Sequence, residues 1–208
     1  MTLIKFCGIT NYEDAKLALD LGVDALGFNF CRASSRYIDV NDAKTIVRRL
    51  PASIWLAGVF VNSNRAEIDE TSRMVGLNTV QLHGEESPAF CSSWDQLRVV
   101  KALRIGMGGA GIEDCEKYLT ASDFLLLDYY SPMEYGGTGK EIDEVLLSTF
   151  PRDILNKSLL SGGLTPENVK AKLDKFLPYG VDVASGIEAG AGKKSLAKMS
   201  DFIEAIRG

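Results

Sequence analysis

The chain has 208 residues, 46% of them hydrophobic and 25% charged, which predicts one domain, residues 1–208, around one substantial core. The net charge of −5 and the lack of a Lys/Arg stripe with interleaved aromatic residues argue against a nucleic-acid-binding surface, and no apolar run approaches the length of a membrane span. The first residues lack a signal-peptide pattern and the four cysteines show no CxxC pairing, so we expect a cytoplasmic protein with reduced thiols, without a zinc site or disulfides.

Short apolar runs alternate with amphipathic stretches along the chain, which predicts strands alternating with helices. Helices are indicated at residues 12–22, with Asn11 as the N-cap, and at 166–177, with Thr165 as the N-cap and Pro166 in the first turn. This alternation favours parallel strands, and eight units predict a closed (β/α)8 barrel, a TIM barrel, with some short helices. The predicted strands span residues 3–7, 25–30, 56–61, 79–83, 99–103, 124–128, 158–160 and 181–184.

Polar residues concentrate towards the carboxyl ends of these strands, where barrels of this kind assemble their active sites. Residues two apart on a strand share a face, so Lys5 is predicted to lie on the same face as Cys7. If Lys5, Lys101 and Asp182 point into the barrel, the two lysines need carboxylate partners, because unpaired buried charge is costly.

Two of these strand ends carry residues suited to acid and base catalysis. Cys7 ends the first strand; a lone cysteine is usually a small core residue, but the ammonium of Lys5 would favour a thiolate and make Cys7 a general base. Asp128 ends the run FLLLD, where an apolar setting would favour the protonated carboxyl of a general acid. The alternative for Asp128 is a helix N-cap or a salt-bridge partner.

Arg36 and His83 are candidates for substrate contact. Arg36, in the segment SSRYI after the second strand, could hold a carboxylate through two parallel hydrogen bonds, although exposed loop arginines are commonly inert. His83, the only histidine, closes the segment TVQLHG on the same strand face as Gln81. A structural, hydrogen-bonded role for His83 is as well supported as substrate contact.

The last two predicted strands each end in Ser and Gly, in the segments SLLSGG and VDVASG. Glycine there lets backbone N–H groups approach an anion closely, and a phosphate site after the last two strands is typical of barrels. We therefore predict a phosphate clamp; the alternative is two turns that merely use glycine.

Three other glycine-rich features need an interpretation. The connection at residues 129–141 is long and rich in Gly and aromatic residues, so it could cover a site. Its segment YGGTGKE lacks the first Gly and the final Ser/Thr of a P-loop. Gly106, Gly108 and Gly111 spell the dinucleotide pattern GxGxxG, but after the fifth strand rather than at the first turn, which disfavours that function.

Seven segments occur in the order found in one known family, which the chain resembles over essentially its whole length: phosphoribosylanthranilate isomerase, of tryptophan biosynthesis. Any one segment is weak evidence, whereas seven in register are highly specific. They are KFCGIT, SSRYI, GVFVN, QLHG, LLLD followed by YGGTGK, LSGGLTPENV and VDVASGIE.

The resemblance implies an Amadori rearrangement, without cofactor or metal, of N-(5'-phosphoribosyl)anthranilate to 1-(2-carboxyphenylamino)-1-deoxyribulose 5-phosphate. It implies that Cys7 is the general base, Asp128 the general acid, and Arg36 the residue that holds the anthranilate carboxylate. The other implied contacts are His83 and Asp182 along the substrate pocket, and Gly162, Gly163, Ser185 and Gly186 around the phosphate.

The implied partner is a phosphorylated small molecule, with no nucleic acid or membrane, and the implied assembly is a monomer or homodimer. Two departures stand outside the acid–base pair: Ala184 replaces a common serine and Ser195 a frequent aspartate, which puts phosphate affinity or helix capping in question. The alternatives are a different sugar-phosphate isomerase or epimerase on the same fold, and a non-catalytic binder of a phosphorylated metabolite.

Overall fold

The computed structural model describes residues 2–130 and 141–208, in which eight parallel strands close into a barrel in chain order. The last barrel strand pairs with the first, so the predicted closed barrel is confirmed. The strand bounds differ from the predicted ones by two residues at most. They are β1 (Leu3–Cys7), β2 (Ala25–Asn29), β3 (Trp55–Phe60), β4 (Thr79–Leu82), β5 (Arg98–Ile105), β6 (Phe124–Tyr129), β7 (Ser158–Leu160) and β8 (Gly180–Val183).

Helices cover the outside of the barrel, and several are a single turn long, as a barrel of this chain length requires. The one-turn helices have four residues each and lie between β4 and β5 and between β6 and β7. In chain order the helices are α1 (Tyr12–Asp20), α2 (Val40–Val47), α3 (Arg65–Val75), α4 (Pro88–Cys91), α5 (Ile112–Tyr118), α6 (Glu144–Leu147), α7 (Arg152–Leu155), α8 (Val169–Phe176) and α9 (Leu196–Arg207).

The predicted N-cap is right for α1 and wrong for α8. The Asn11 side chain accepts a hydrogen bond from the Asp14 N–H at 2.8 Å and so begins α1. In contrast, α8 begins at Val169 with Asn168 as its N-cap, rather than at residue 166 after Thr165. The reason is the Asn168 side chain, which accepts from the Thr165 N–H at 2.8 Å and donates to the Gly163 carbonyl at 2.9 Å, so residues 165–168 form a turn.

Two short elements after β8 were not predicted. A 3-10 helix at Ser185–Ile187 leads into a hairpin of β9 (Glu188–Gly190) and β10 (Lys193–Lys194). The hairpin is tied to the start of the chain, because the Lys194 N–H donates to the Asp14 carboxylate at 2.9 Å and the Thr10 hydroxyl donates to the Gly192 carbonyl at 2.5 Å. It therefore lies beside the carboxyl end of β1.

The barrel interior has an apolar lower layer and a polar upper layer. The upper layer contains Lys5, whose Nζ lies 2.6 Å from Asp182 Oδ1, the kind of carboxylate partner that was expected. Lys101 does not point into the barrel: Val100 and Ala102 on either side of it face the interior, so Lys101 lies on the outer face of β5, where its Nζ lies 2.8 Å from Glu86 Oε2. Both lysines are buried, so these ion pairs remove the cost of unpaired charge. The lower layer consists of Leu3, Ala25, Val100, Ala102, Leu126 and Leu159.

Some earlier predictions fall outside the described residues or lose support. Residues 131–140, with the YGGTGK segment and most of the connection expected to cover a site, are not among the described residues. The Gly111 N–H, which a dinucleotide phosphate would need, donates to the Asp114 carboxylate at 3.0 Å, and that negative charge disfavours a phosphate. Within the described ranges no helix combines the length and apolarity needed to cross a membrane.

Candidate active site

The predicted site residues come from six parts of the chain that meet at the carboxyl ends of the barrel strands. Cys7 is the last residue of β1 and Asp128 the second-last residue of β6. His83 directly follows β4. Between β1 and β6 around the barrel lie β7 and β8, whose ends carry the glycine loops. The topology thus places the proposed phosphate clamp between the candidate base and the candidate acid.

Cys7 is held in a tight, charged environment. A side chain at Gly27, its neighbour on β2, would place a Cβ 2.7 Å from Cys7 Sγ and 3.0 Å from Lys5 Nζ, so glycine is needed there. Burial raises the pKa of the Cys7 thiol above its ordinary value, although the ammonium groups of Lys5 and Lys194 act in the opposite direction. Lys5 favours the thiolate, as expected, but burial has the larger effect on the pKa of Cys7.

Asp182 lies beneath Cys7 and is engaged on both carboxylate oxygens. Oδ1 accepts from Lys5 Nζ at 2.6 Å, and Oδ2 accepts from the Ser161 hydroxyl at 3.2 Å. Burial alone would lower the pKa of Lys5, but Asp182 and Cys7 outweigh burial and raise it, so Lys5 is a cation. Asp182 therefore contacts Lys5 and Ser161 in this structure, and its contact with substrate stays a prediction.

Asp128 and His83 are brought together across the barrel mouth. Asp128 Oδ1 accepts from the Tyr129 N–H at 2.8 Å, and Oδ2 lies 3.4 Å from His83 Nε2, too long for an ideal hydrogen bond. On the other side of the ring, His83 Nδ1 lies 3.0 Å from Gln81 Nε2. With the amide nitrogen donating to Nδ1, the ring proton of neutral His83 is on Nε2 and faces Asp128.

Arg36 is not the exposed loop arginine that the sequence suggested. Its Nε and Nη2 donate to Glu188 Oε1 and Oε2 at 2.8 and 2.7 Å, a bidentate pair. The side chain crosses directly over Gly8, where an added Cβ would lie 2.5 Å from Arg36 Cδ. Glu188 thus occupies the edge of the guanidinium formed by Nε and Nη2, and no residue of the described ranges accepts a hydrogen bond from Nη1.

Sequence reasoning missed Glu188 and Lys194, which lie on the unpredicted hairpin. Lys194 Nζ donates to Glu188 Oε1 at 3.0 Å, to the Cys7 carbonyl at 2.5 Å and to the Ala184 carbonyl at 3.2 Å. Burial acts to raise the pKa of Glu188, but Arg36 and Lys194 outweigh it and hold that pKa below its ordinary value. For Lys194 burial prevails over Glu188, and its pKa is lowered. Glu188 closes the segment VDVASGIE, which could have marked it as a candidate, whereas Lys194 stands in none of the seven segments.

The glycine loops of the predicted phosphate clamp have the required backbone geometry. Gly162 and Gly163 have φ of +79° and +65°, a left-handed conformation that favours glycine. At Gly186 an added Cβ would lie 1.8 Å from the Leu164 carbonyl oxygen, so the backbones of the two loops are in direct contact there. No described residue accepts a hydrogen bond from the backbone N–H of Gly162, Gly163, Ser185 or Gly186.

A cavity of about 380 Å³ joins the two loops. Gly163 lines it from the loop after β7, and Ser185 and Gly186 line it from the 3-10 helix, whereas Gly162 is not part of its wall. Lys198, on α9, adds a cation to the wall. Three of the four residues predicted for the clamp, Gly163, Ser185 and Gly186, therefore line one cavity. Ser195, the second departure, does cap α9, accepting from the Lys198 N–H at 3.5 Å.

Comparison with known proteins identifies one family. The family model described as N-(5'-phosphoribosyl)anthranilate (PRA) isomerase matches residues 4–205. The N-(5'-phosphoribosyl)anthranilate isomerase of Pelobacter propionicus is 46% identical over 98% of this chain and 94% of its own. The crystal structure of phosphoribosyl anthranilate isomerase from Thermotoga maritima is 41% identical, with a TM-score of 0.88 over 100% of both chains.

A further similar structure holds a ligand. It is a phosphoribosyl anthranilate isomerase in complex with reduced 1-(o-carboxyphenylamino)-1-deoxyribulose 5-phosphate, with 38% identity and a TM-score of 0.83 over 100% of both chains. The family model and these full-length similarities agree with the closed barrel. The chain therefore belongs to the N-(5'-phosphoribosyl)anthranilate isomerase family.

Proposed function

We propose that this protein converts N-(5'-phosphoribosyl)anthranilate to 1-(2-carboxyphenylamino)-1-deoxyribulose 5-phosphate, a step of tryptophan biosynthesis. One observation carries the catalytic part of the proposal. Cys7 and Asp128 stand at one barrel mouth on either side of β7 and β8, whose ends carry free backbone N–H groups among the described residues. A sugar phosphate anchored between them presents different atoms of its sugar to an acid and to a base.

The first step is ring opening. Protonated Asp128 donates its proton to the ring oxygen of the ribose, the C1–O bond breaks, and the nitrogen lone pair forms an iminium at C1. His83 Nε2 faces Asp128 at 3.4 Å and stabilises the carboxylate that remains. Each positioned proton transfer of this kind contributes roughly 10²–10⁴-fold to the rate.

The second step is proton removal from C2. The iminium acidifies the C2–H bond, the Cys7 thiolate accepts the proton, and the electron pair of that bond forms a C1–C2 double bond as the iminium becomes an amine. The resulting enol tautomerises to the ketone, with a proton delivered to C1. The electrons lost at C2 are gained at C1, so the isomerisation requires no external oxidant or reductant.

Substrate binding uses the two ends of the molecule. The backbone N–H groups of Gly162, Gly163, Ser185 and Gly186 hold the phosphate, and the open edge of Arg36 holds the anthranilate carboxylate. The ligand in the related complex carries both a carboxylate and a phosphate, the two groups that this arrangement binds. Fixing both ends lets binding energy position C1 and C2 between Asp128 and Cys7.

The test is turnover of freshly prepared N-(5'-phosphoribosyl)anthranilate carrying ¹³C at C1, followed by NMR. The expected result is conversion of the C1 signal to that of a methylene group, with solvent deuterium incorporated at C1 in D₂O. Turnover of other phosphorylated aldoses but not of this substrate indicates a different isomerase. Saturable binding without turnover indicates a binding protein, and either outcome contradicts the proposal.

We propose a cytoplasmic location and a monomeric or homodimeric assembly for the enzyme. The phosphorylated substrate and the reduced thiols fit that compartment. Light scattering of the purified protein across a concentration series measures the assembly, and a mass above that of two chains contradicts it.

A further inference from the structure

Three buried side chains, Arg36, Glu188 and Lys194, form a charged cluster beside the substrate site. Glu188 pairs with both cations, and the side chains of Arg36, Glu188 and Lys194 are 12%, 4% and 0% exposed. Two cations and one carboxylate leave the cluster with one net positive charge. That charge balances the single negative charge of the anthranilate carboxylate.

The cluster also reaches the backbone of two other parts of the site. Lys194 Nζ donates to the carbonyl of Cys7, the candidate base, and to the carbonyl of Ala184, which precedes the phosphate loop residue Ser185. Lys194 belongs to a strand of only two residues, so this backbone contact accounts for its burial better than core packing does. One ion pair thus touches all three parts of the proposed substrate site.

We propose that Glu188 and Lys194 are positioning residues for the isomerase reaction: they fix the open edge of Arg36 and the backbone of Cys7 in one geometry. This inference rests on the proposed function. Glu188 acts through Arg36, because its carboxylate holds one edge of the guanidinium and so turns the other edge towards the ligand. Lys194 acts through Cys7, because its ammonium holds the Cys7 carbonyl and adds positive charge beside the thiol.

The charges around Cys7 define a test that needs no substrate. Cys7 interacts with Lys5 on its own strand, Asp182 on β8, Lys194 on β10 and Arg36 in the loop after β2. The ammonium of Lys194 lowers the pKa of the Cys7 thiol against the dominant effect of burial. Lys194→Met removes that charge, so Cys7 should form its thiolate only at higher pH.

The measurement is the rate of Cys7 alkylation by iodoacetamide against pH, read from the Cys7 peptide by mass spectrometry. Lys194→Met should move the midpoint up by about one pH unit, which makes alkylation below the midpoint about tenfold slower. Lys193→Met is the matched control, because Lys193 is the neighbouring, exposed residue of the same hairpin. Equal midpoints for Lys194→Met and Lys193→Met overturn the role of Lys194.

Steady-state kinetics test Glu188. Glu188→Gln should raise KM about tenfold or more, since a charge-assisted bidentate pair is replaced by a neutral contact. In an Arg36→Ala background the same substitution should change KM less than twofold, because its target is gone. An equal loss in both backgrounds shows a general structural effect and overturns the proposal. Glu188→Asp, which keeps the charge, replaces Glu188→Gln if the latter does not fold.

The experiments distinguish a failure of the proposed function from a failure of the positioning role. If the wild-type protein does not turn over N-(5'-phosphoribosyl)anthranilate, the proposed function fails, while the alkylation experiment still measures the effect of Lys194 on Cys7. If the wild-type protein is active and the variants behave like Lys193→Met, only the positioning role fails.

Discussion

The proposed mechanism needs opposite protonation states at two residues of the barrel mouth. Cys7 must lose a proton to act as a base, yet burial favours its neutral thiol. The cations of Lys5 and Lys194 compensate in part, and a substrate iminium would add a third positive charge beside the sulfur. Asp128, the proton donor of the proposed mechanism, lies on the far side of β7 and β8 from those cations. In that mechanism the separation lets the acid and the base reach different atoms of the sugar.

We expect Cys7→Ser and Asp128→Asn each to lower kcat by about 10²–10⁴-fold, the contribution of one positioned proton transfer. Cys31→Ser and Asp123→Asn are matched controls: Cys31 lies in the loop after β2, and Asp123 lies at the opposite end of strand β6. In the wild-type enzyme the activity should rise with pH as Cys7 ionises. Steady-state kinetics measure all four variants, and a near wild-type kcat for Cys7→Ser or Asp128→Asn removes that residue from the mechanism.

The sequence predicts residues that end a strand much better than it predicts their partners. Cys7 and Asp128 follow apolar runs, so their positions at the barrel mouth were predictable from the alternation of strands and helices. The pairing of Lys5 with a carboxylate followed from the two-residue repeat of a strand. The partner of Arg36 did not follow, because Glu188 lies 152 residues away and only the tertiary structure brings them together.

Among the secondary-structure elements, the two loops of the proposed phosphate site meet through their backbones rather than through side chains. The 3-10 helix at Ser185–Ile187 touches the loop after β7 so closely that only glycine fits at residue 186. The same closeness brings Gly163, Ser185 and Gly186 to the wall of one cavity. A small change at this point should therefore affect phosphate binding before it affects the barrel.

We expect Gly186→Ala to raise KM at least tenfold, because an added Cβ lies 1.8 Å from the Leu164 carbonyl oxygen and must displace one of the loops. Gly190→Ala is the matched control, since nothing lies within 4 Å of an added Cβ there. Competitive inhibition by inorganic phosphate measures the phosphate site directly and should weaken in parallel. An unchanged inhibition constant for Gly186→Ala would place the phosphate elsewhere.

Local signals explain which elements the sequence could predict. The barrel strands were found because apolar runs bounded by polar residues are typical of buried parallel strands. The start of α8 was misplaced because Asn168 bonds back to Thr165 and Gly163, and Pro166 fits a turn as well as a helix. The hairpin of β9 and β10 has five strand residues and no apolar repeat, so nothing in its sequence distinguishes it from a loop.

At the scale of the whole molecule, buried thiols make stability depend on pH. Burial raises the pKa of Cys91 to about 11 and that of Cys115 to about 12, from an ordinary value of 9.0. Between pH 9 and 11 the unfolded chain therefore loses thiol protons that the folded chain retains. Unfolding releases protons in this range. The part of the free energy of unfolding that depends on these two thiols is therefore complete below about pH 9 and decreases as the pH rises.

We expect a Cys91→Ala, Cys115→Ala double variant to lose less of its free energy of unfolding between pH 8 and pH 10 than the wild-type protein. The variant is less stable at pH 8, because each truncation leaves a small cavity. Urea unfolding at several pH values measures both effects. Parallel curves for the two proteins from pH 7 to pH 10 would contradict the effect of the buried thiols.

Closure of the barrel has a consequence for protein synthesis. Residues 3–6 pair with residues 180–183, and Cys7 receives the ammonium of Lys194. A growing chain on the ribosome exposes β1 long before β8 and the hairpin are translated, and such distant pairings form late. The thiol of Cys7 therefore lacks the nearby ammonium of Lys194 until nearly the whole chain has emerged. A chain stalled before residue 180 thus holds both Cys7 and Asp128 but lacks Ser185, Gly186 and Lys194 of the proposed site.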